Sequence, residues 1–342
     1  MSDEPRFADV FPELSGPDGI SAATVRRVFD AILAGQWTPV QVAGLVVALR
    51  LRGEPPEVIA AAAQAMRSAM VPVEHGLDRV LDTCGTGGDG KGTLNLSTGA
   101  AIIAAAAGTP VAKHGNRAVS SQAGSADVLE ALGVPLDVPP TRATTVLREV
   151  NIAFLMAPAH HPAMRHAVVA RKELGVRTIF NCLGPLASPA RATHQLLGAY
   201  DDALRATFAQ TLRELGTKRA WVVRGVDGLD EVSPYGPTRV TELDGDEIRE
   251  LSVTPETFGL TPSPAGAIAG GDAATNAQVL EQVLSGQAHP STDAFLLNAA
   301  AALVVAEGLT PPAALERARE TVASGAALQT LRRWREVAQA SK

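Results

Sequence analysis

Asp82-Thr83-Cys84-Gly85-Thr86-Gly87-Gly88-Asp89-Gly90-Lys91-Gly92-Thr93-Leu94-Asn95-Leu96-Ser97-Thr98 is the stretch on which the fold turns. Val80 and Leu81 precede it as the apolar part of a strand, and a helix-like run from Gly99 to Ala107 follows it. The order is strand, glycine-rich loop, helix. Glycines let backbone N–H groups converge on an anion without Cβ clashes. The helix behind the loop adds the positive end of its dipole. The pattern predicts a phosphate or pyrophosphate site, set against the plainer alternative of a glycine-rich turn with no ligand.

Two familiar motifs nearly fit and fail. Gly85, Gly87 and Gly90 satisfy G-x-G-x-x-G, but a dinucleotide site needs the helix to open at the loop and an acid about 20 residues on. Here the loop runs on to Asn95, and the later region reads Val111-Ala112-Lys113-His114. Gly85, Gly90 and Lys91 match a Walker A loop until Gly92 stands where a Mg²⁺-binding hydroxyl belongs.

A second stretch narrows the choice. Pro110-Val111-Ala112-Lys113 reads as a buried strand and is followed by His114-Gly115-Asn116-Arg117-Ala118-Val119-Ser120-Ser121. Ser125-Ala126-Asp127 then reads as the cap of a helix ending at Leu132-Gly133. Adjacent parallel strands bring both loops to one C-terminal sheet edge, where open α/β sheets bind ligands. One loop brings backbone donors and Asp89. The other brings Lys113, Arg117 and hydroxyls.

Gly85-Thr86-Gly87-Gly88-Asp89, Asn95-Leu96-Ser97-Thr98 and Lys113-His114-Gly115-Asn116-Arg117 resemble the signature loops of the anthranilate phosphoribosyltransferases. The resemblance continues through Phe154 to Pro189 and Asp227 to Pro234, so it covers most of the chain. It implies an enzyme of tryptophan biosynthesis that uses Mg²⁺, two ions, to move the phosphoribosyl group of phosphoribosyl pyrophosphate to the amine of anthranilate. It also implies a homodimer.

Composition agrees with this class. The chain has 342 residues, long for one core, with 46% hydrophobic and 19% charged residues. A net charge of −6 argues against a nucleic-acid partner. Cys84 and Cys182 are the only cysteines, too few for a disulfide scaffold and without metal-ligand spacing. The acidic start Met1-Ser2-Asp3-Glu4-Pro5 is no signal peptide, and Ile102 to Ala107 is too short to span a bilayer. The expectation is a cytoplasmic enzyme with no membrane partner.

The fold expected is α/β, a mainly parallel sheet covered by helices, with a small all-helical N-terminal domain, as in nucleoside phosphorylases and phosphoribosyltransferases. Residues 1–18 carry Pro and Gly and read as a ragged arm. From Ser21 to Met70 the pattern is helical, with Gly35 ending one helix, Thr38-Pro39 opening the next and Glu54-Pro55-Pro56 a third. From Asp78 strands alternate with helices. Strand candidates are Val80 to Thr83, Pro110 to Lys113, Ile152 to Met156, Gln195 to Gly198 and Arg219 to Val223. Arg239 to Leu243 and Glu247 to Leu251 read as a hairpin at the margin. The segment from His161 to Leu186 breaks the alternation. In the resembled family it returns to the helical domain. The domains are therefore drawn as 1–76 with the excursion 161–188, and 77–160 with 189–342. The helical domain is the expected dimer contact.

Each part of the donor needs a different partner. The 5′-phosphate suits donors from Asn95 to Thr98 at a helix N-terminus, although ordinary capping uses the same groups. The pyrophosphate suits Lys113, the loop from Gly85 to Gly88, and Mg²⁺. Asp230 and Glu231 follow the strand ending at Val223, and adjacent carboxylates at a strand's C-terminal end suit Mg²⁺, which takes oxygen ligands. Asp227 reads as turn chemistry. The resemblance adds Ser97 as a metal ligand, and Asp89, Thr93, Ser121 and Ser125 as donor contacts. It assigns anthranilate to Gly85, Asn116 and Arg171, whose guanidinium matches a carboxylate. His160 and His161 read as pocket-shaping and His114 as structural. No side chain is assigned as acid or base. Two other readings are a pyrimidine nucleoside phosphorylase, against which the loop from Lys113 to Arg117 argues, and a nucleic-acid-binding relative that has lost the activity. The acidic net charge and the intact Asp230-Glu231 pair oppose the latter.

Overall fold

The computed structural model describes residues 5–118 and 122–341. It opens with α1 (Phe7–Ser15), α2 (Ala22–Leu33), α3 (Pro39–Arg52) and α4 (Pro56–Ala69). Ser21 caps α2 by accepting the Thr24 N–H, and Thr38 with Gln41 closes a capping box ahead of Pro39. Helix α1 corrects the expectation of a ragged arm. Val10 and Leu14 fall on one face and are buried, and Phe7 meets the Trp37 ring edge-on at 5.8 Å. Burial of that face outweighs the unfavourable Pro12 inside the helix.

The alternating region begins with β1 (Leu81–Gly85), α5 (Leu96–Ala106), β2 (Val111–Gly115), α6 (Ser125–Ala131), α7 (Pro140–Val150) and β3 (Ile152–Met156). The chain then leaves the sheet through α8 (Ala157–His160), α9 (Arg165–Leu174) and α10 (Phe180–Leu186), and returns as β4 (His194–Gly198). After α11 (Leu204–Glu214) come β5 (Arg219–Gly225), β6 (Thr238–Asp244) and β7 (Glu247–Val253). Five helices finish the chain: α12 (Pro255–Phe258), α13 (Ala273–Leu284), α14 (Thr292–Glu307), α15 (Pro311–Ala323) and α16 (Ala326–Gln339). The cap expected at Ser125 lies one residue earlier. Gly124 is the N-cap, and its N–H donates to Asp127 at 2.9 Å.

The strands form one 7-stranded sheet in the order β3-β2-β1-β4-β5-β6-β7. Strands β1 to β5 pair in parallel, and β6 and β7 extend the sheet as an antiparallel hairpin. The direction of strand succession reverses between β1 and β4, and a crevice opens at such a switch point. Register there sets Gly85 beside Gly198.

Two apolar clusters hold the chain. One packs α5 and α14 on the sheet, with Ile102, Phe295 and Leu297 fully buried. The other gathers Phe29, Ile32, Leu45 and Ile59 of the first helices, Leu183 of α10, Phe208 of α11, and Leu197 and Val222 of the sheet. Helix α9 packs on α3 and α2, so the off-sheet segment lies against the N-terminal helices. Arg67 of α4 ties them further: its Nε donates to the Leu186 carbonyl at 2.8 Å and its Nη1 to the Leu215 carbonyl at 3.0 Å. No single helix among the described residues is long and apolar enough to cross a membrane.

Candidate active site

The glycine-rich loop leaves β1 at the switch point. Gly87 and Gly88 take φ of +67° and +77°, a left-handed conformation that favours glycine. The Thr86 N–H donates to the Gly198 carbonyl at 2.9 Å, and the Thr86 hydroxyl accepts the Tyr200 N–H at 2.9 Å. The loop is thus pinned across the crevice to β4. Gly198 has a second duty. A Cβ there would stand 1.6 Å from the Asp230 carbonyl oxygen, so only glycine lets the segment after β5 lie against the end of β4.

That segment brings Asp230 and Glu231 under the loop. Asp230 accepts the Gly87 N–H at 3.1 Å, and Glu231 accepts the Ser97 N–H at 3.2 Å. Burial, and then the nearby Asp89, push the Asp230 pKa up, while burial and then Asp230 do the same to Glu231. Asp89 accepts the Lys91 N–H at 3.0 Å through Oδ1, and its Oδ2 is buried with no hydrogen-bond partner. Three acidic side chains thus face one another with too little positive charge. Among the described residues no three His, Cys, Asp or Glu side chains are grouped so as to hold a metal ion by themselves. Asp227 accepts the Leu229 N–H and the Ser233 hydroxyl, which is turn chemistry.

Lys113 lies beneath the loop and does not face its open side. It is 2% exposed; its Nζ donates to the Thr83 carbonyl and, at 3.3 Å, to the Ser97 hydroxyl. Burial lowers its pKa, and Asp82, Cys84 and Glu231 work the other way. Asp82 is fully buried, is pushed up to about 7 by that burial, and accepts the His114 N–H at 3.1 Å. Arg117 also departs from expectation. Its guanidinium is held by Asp127 at 3.0 Å and Glu130 at 2.8 Å, away from the crevice.

The capping reading of Asn95 is corrected. Asn95 is the N-cap of α5, yet its amide donates to the Ala123 carbonyl at 3.2 Å and its oxygen accepts from Asn276 at 3.0 Å. It holds the two loops and α13 together. Thr98, in the first turn, has a buried hydroxyl with no partner. Thr93 forms an isolated bridge with Ala269. Ser125 donates to the Asn116 carbonyl at 3.4 Å, and Asn116 is exposed. Ser121 lies outside the described residues.

Arg171 projects from α9 and is exposed, with its guanidinium 5.5 Å from the centre of the Phe180 ring. Arg177, which sequence reasoning passed over, makes the direct bridge. Its Nη2 donates to the Gly88 carbonyl at 2.5 Å, and its guanidinium stacks 3.9 Å from the Tyr200 ring centre. The only sequence signal for it was its place in the off-sheet segment. His114 shares a hydrogen bond with the Gly184 carbonyl at 3.0 Å and its ring lies 5.1 Å from that of His161. Burial depresses His114 to about 3 and His161 to about 4, so both stay neutral.

Two family models match the chain. A glycosyl transferase helical bundle domain covers residues 15–70, and a glycosyl transferase a/b domain covers residues 77–328. The anthranilate phosphoribosyltransferase of Moorella thermoacetica is 47% identical over 319 residues, 92% of this chain and 94% of that protein. The chain belongs to the anthranilate phosphoribosyltransferase family. A solved member from Thermus thermophilus superposes with a TM-score of 0.91 at 44% identity, covering 96% of this chain and 99% of that one. The Saccharomyces cerevisiae member in complex with PRPP and Mg gives 0.90 at 30% identity, covering 98% of each chain. The same yeast protein in complex with 4-fluoroanthranilate gives 0.88 at 29% identity, again over 98% of each. The family fold, a helical bundle followed by a mixed α/β domain, is the one described above. The chain is accordingly a phosphoribosyl transfer enzyme, and the phosphorylase alternative falls away.

Proposed function

We propose that the chain transfers the phosphoribosyl group of 5-phosphoribosyl 1-pyrophosphate to the amine of anthranilate, giving N-(5-phosphoribosyl)anthranilate and pyrophosphate in tryptophan biosynthesis. The observation that carries this reading is the meeting of the glycine loop, the α5 N-terminus and Asp230-Glu231 at the switch point. In the reaction the bond from ribose C1 to the pyrophosphate oxygen breaks, the bond from C1 to the amine nitrogen forms, and the amine loses a proton. The anthranilate carboxylate can take that proton, which suits a site with no assigned base.

The 5′-phosphate would sit at the start of α5, taking donors from Asn95, Ser97 and Thr98. The unpartnered Thr98 hydroxyl supports this. Gly85, Gly88, Asp89, Thr93 and Ser125 would line the rest of the donor. Lys113, held under the loop, would act on the pyrophosphate through the local field, with Thr83 and Ser97 fixing its position. Arg171 would face the anthranilate carboxylate, and Asn116 and Gly85 its ring.

Asp230, Glu231, Asp89 and Ser97 fit Mg²⁺. The donors are all oxygens, two of the carboxylates are destabilised by mutual proximity and burial, and one buried carboxylate oxygen lacks a partner. When bound, Mg²⁺ neutralises charge on the leaving pyrophosphate. Two ions are part of this proposal. The exposed apolar side chains Phe11, Val40 and Leu51 on α1 and α3, with Val168 and Val169 on α9, support a homodimer through the helical block. The two free, buried thiols suit the proposed cytoplasmic setting.

The test is fluorescence loss of anthranilate with phosphoribosyl pyrophosphate and Mg²⁺, with nucleoside plus phosphate as control. Turnover of the nucleoside and not of anthranilate would overturn the reading.

A further inference from the structure

At the other edge of the sheet, the N-terminal ends of β4 and β5, lies a cavity of about 260 Å³. Its lining includes three guanidiniums from three separate elements: Arg26 of α2, Arg67 of α4, and Arg191 just before β4. Their charges are unevenly met. Arg26 is paired with Asp30 at 3.0 Å and donates to the Ser68 hydroxyl at 2.8 Å. Among the described residues Arg67 has only neutral acceptors, the Leu186 and Leu215 carbonyls, which occupy Nε and Nη1. Arg191 makes no ion pair with a carboxylate among the described residues. The one acid in the lining, Glu214, is exposed at the end of α11.

Two further observations mark this cavity. Arg67 and Arg191 repel each other, and that repulsion, after burial, lowers the Arg67 pKa to about 10. Arg191 also holds φ of +47°, one of two non-glycine residues with positive φ among those described. Such a conformation is sparsely populated for a side chain of this size, and strained backbone of this kind gathers at ligand sites.

We infer that this cavity is an oxyanion site of the phosphate class, distinct from the catalytic crevice on the opposite edge. Guanidiniums arriving from separate elements suit a tetrahedral anion with oxygens on several sides, more than one planar carboxylate. The volume admits inorganic phosphate or a small phosphate monoester. An occupant would also bridge α2 and α4 of the helical block to the start of β4. It would thereby link the helical block to the sheet edge from which β4 runs toward the crevice.

Calorimetric titration of inorganic phosphate into the full chain at fixed ionic strength tests this. The expected trace has a binding event that survives when the crevice's phosphate donors are removed by Ser97→Ala with Thr98→Val. Arg191→Gly removes the guanidinium and accepts the positive φ, so the fold is kept; it should weaken that event at least about tenfold, the low end for one charge-assisted hydrogen bond. Arg26→Gln should weaken it in the same sense, and both variants should turn over anthranilate as the parent does. Ribose 5-phosphate in place of phosphate separates the sources: tighter binding assigns an ester, equal binding assigns the free ion. Affinity unchanged in both variants, or acetate binding as tightly as phosphate, overturns the inference.

Discussion

Gly198→Ala tests how the catalytic edge is assembled. The Cβ would be built 1.6 Å from the Asp230 carbonyl oxygen and 2.6 Å from its carbonyl carbon, and contacts under 3.0 Å are essentially never seen. The neighbour is backbone, so no side-chain rotation relieves the clash. The Asp230 peptide must retreat by more than an ångström, or β4 must give way. Either movement carries Asp230 away from the Gly87 N–H, and Glu231 from the Ser97 N–H, which are now 3.1 and 3.2 Å away. A misplacement of that size costs about 10²-fold in rate, while overpacking costs about 1–3 kcal/mol of stability. The assay is kcat/KM for anthranilate across a Mg²⁺ titration, with a thermal melt of the same preparation. Gly16→Ala is the control. Its Cβ would meet the Pro12 carbonyl oxygen at 2.9 Å at the end of α1, in the helical block, so it should lower Tm and spare the rate per folded molecule. If Gly198→Ala keeps kcat/KM within about twofold, the geometry is not what places the carboxylates.

Asp230→Asn with Glu231→Gln should abolish Mg²⁺-dependent turnover with a small change in Tm; normal turnover at saturating Mg²⁺ would remove the metal assignment. Arg171→Ala should weaken anthranilate use by about 10- to 100-fold, from about 1.5–3 kcal/mol for a charge-assisted bond, and spare donor binding. Arg177→Met should do the opposite, raising KM for the donor, because Arg177 holds Gly88; titrating each variant with each substrate separately exposes a reversed assignment. His114 and His161 are depressed below the ordinary histidine value, so the unfolded chain binds more protons between about pH 6.5 and the folded values of about 3 and about 4. Their contribution is complete above the unfolded value and is lost as pH falls through that window. Denaturant midpoints at pH 7 and pH 5 should differ less in His161→Gln than in the parent, and equal differences would refute this.

The alternation of strands and helices was legible where apolar or β-branched residues cluster between helical patterns, as in Ile152 to Met156. The convergence of loops at one edge followed from parallel pairing. What could not be read were features set by burial and by long-range contact. Helix α1 was hidden by Pro12 and Gly16, since local propensity says nothing of Val10 and Leu14 finding a partner surface. Lys113 looks in sequence like an open phosphate ligand, yet its place under Thr83 depends on pairing of β1 with β2. Arg117 has its acids ten and thirteen residues on, across a helix whose cap was misplaced by one. Arg177 and Gly198 owe their importance to Gly88 and Asp230, far away in the chain.

The route of the chain between β3 and β4 bears on how the molecule is born. During synthesis β1 meets β2 early, but its other neighbour, β4, emerges only after the detour through α9 and α10. The first helices emerge sooner still, with Phe29, Ile32 and Leu45 directed at a surface that Leu183 and Phe208 will supply. A nascent chain that has reached β3 therefore holds an unfinished sheet edge and an uncovered helical face together. Such surfaces invite association with other chains before folding ends. The wiring that sets a catalytic crevice beside the helical block thus leaves the growing chain exposed to association until β4 has emerged.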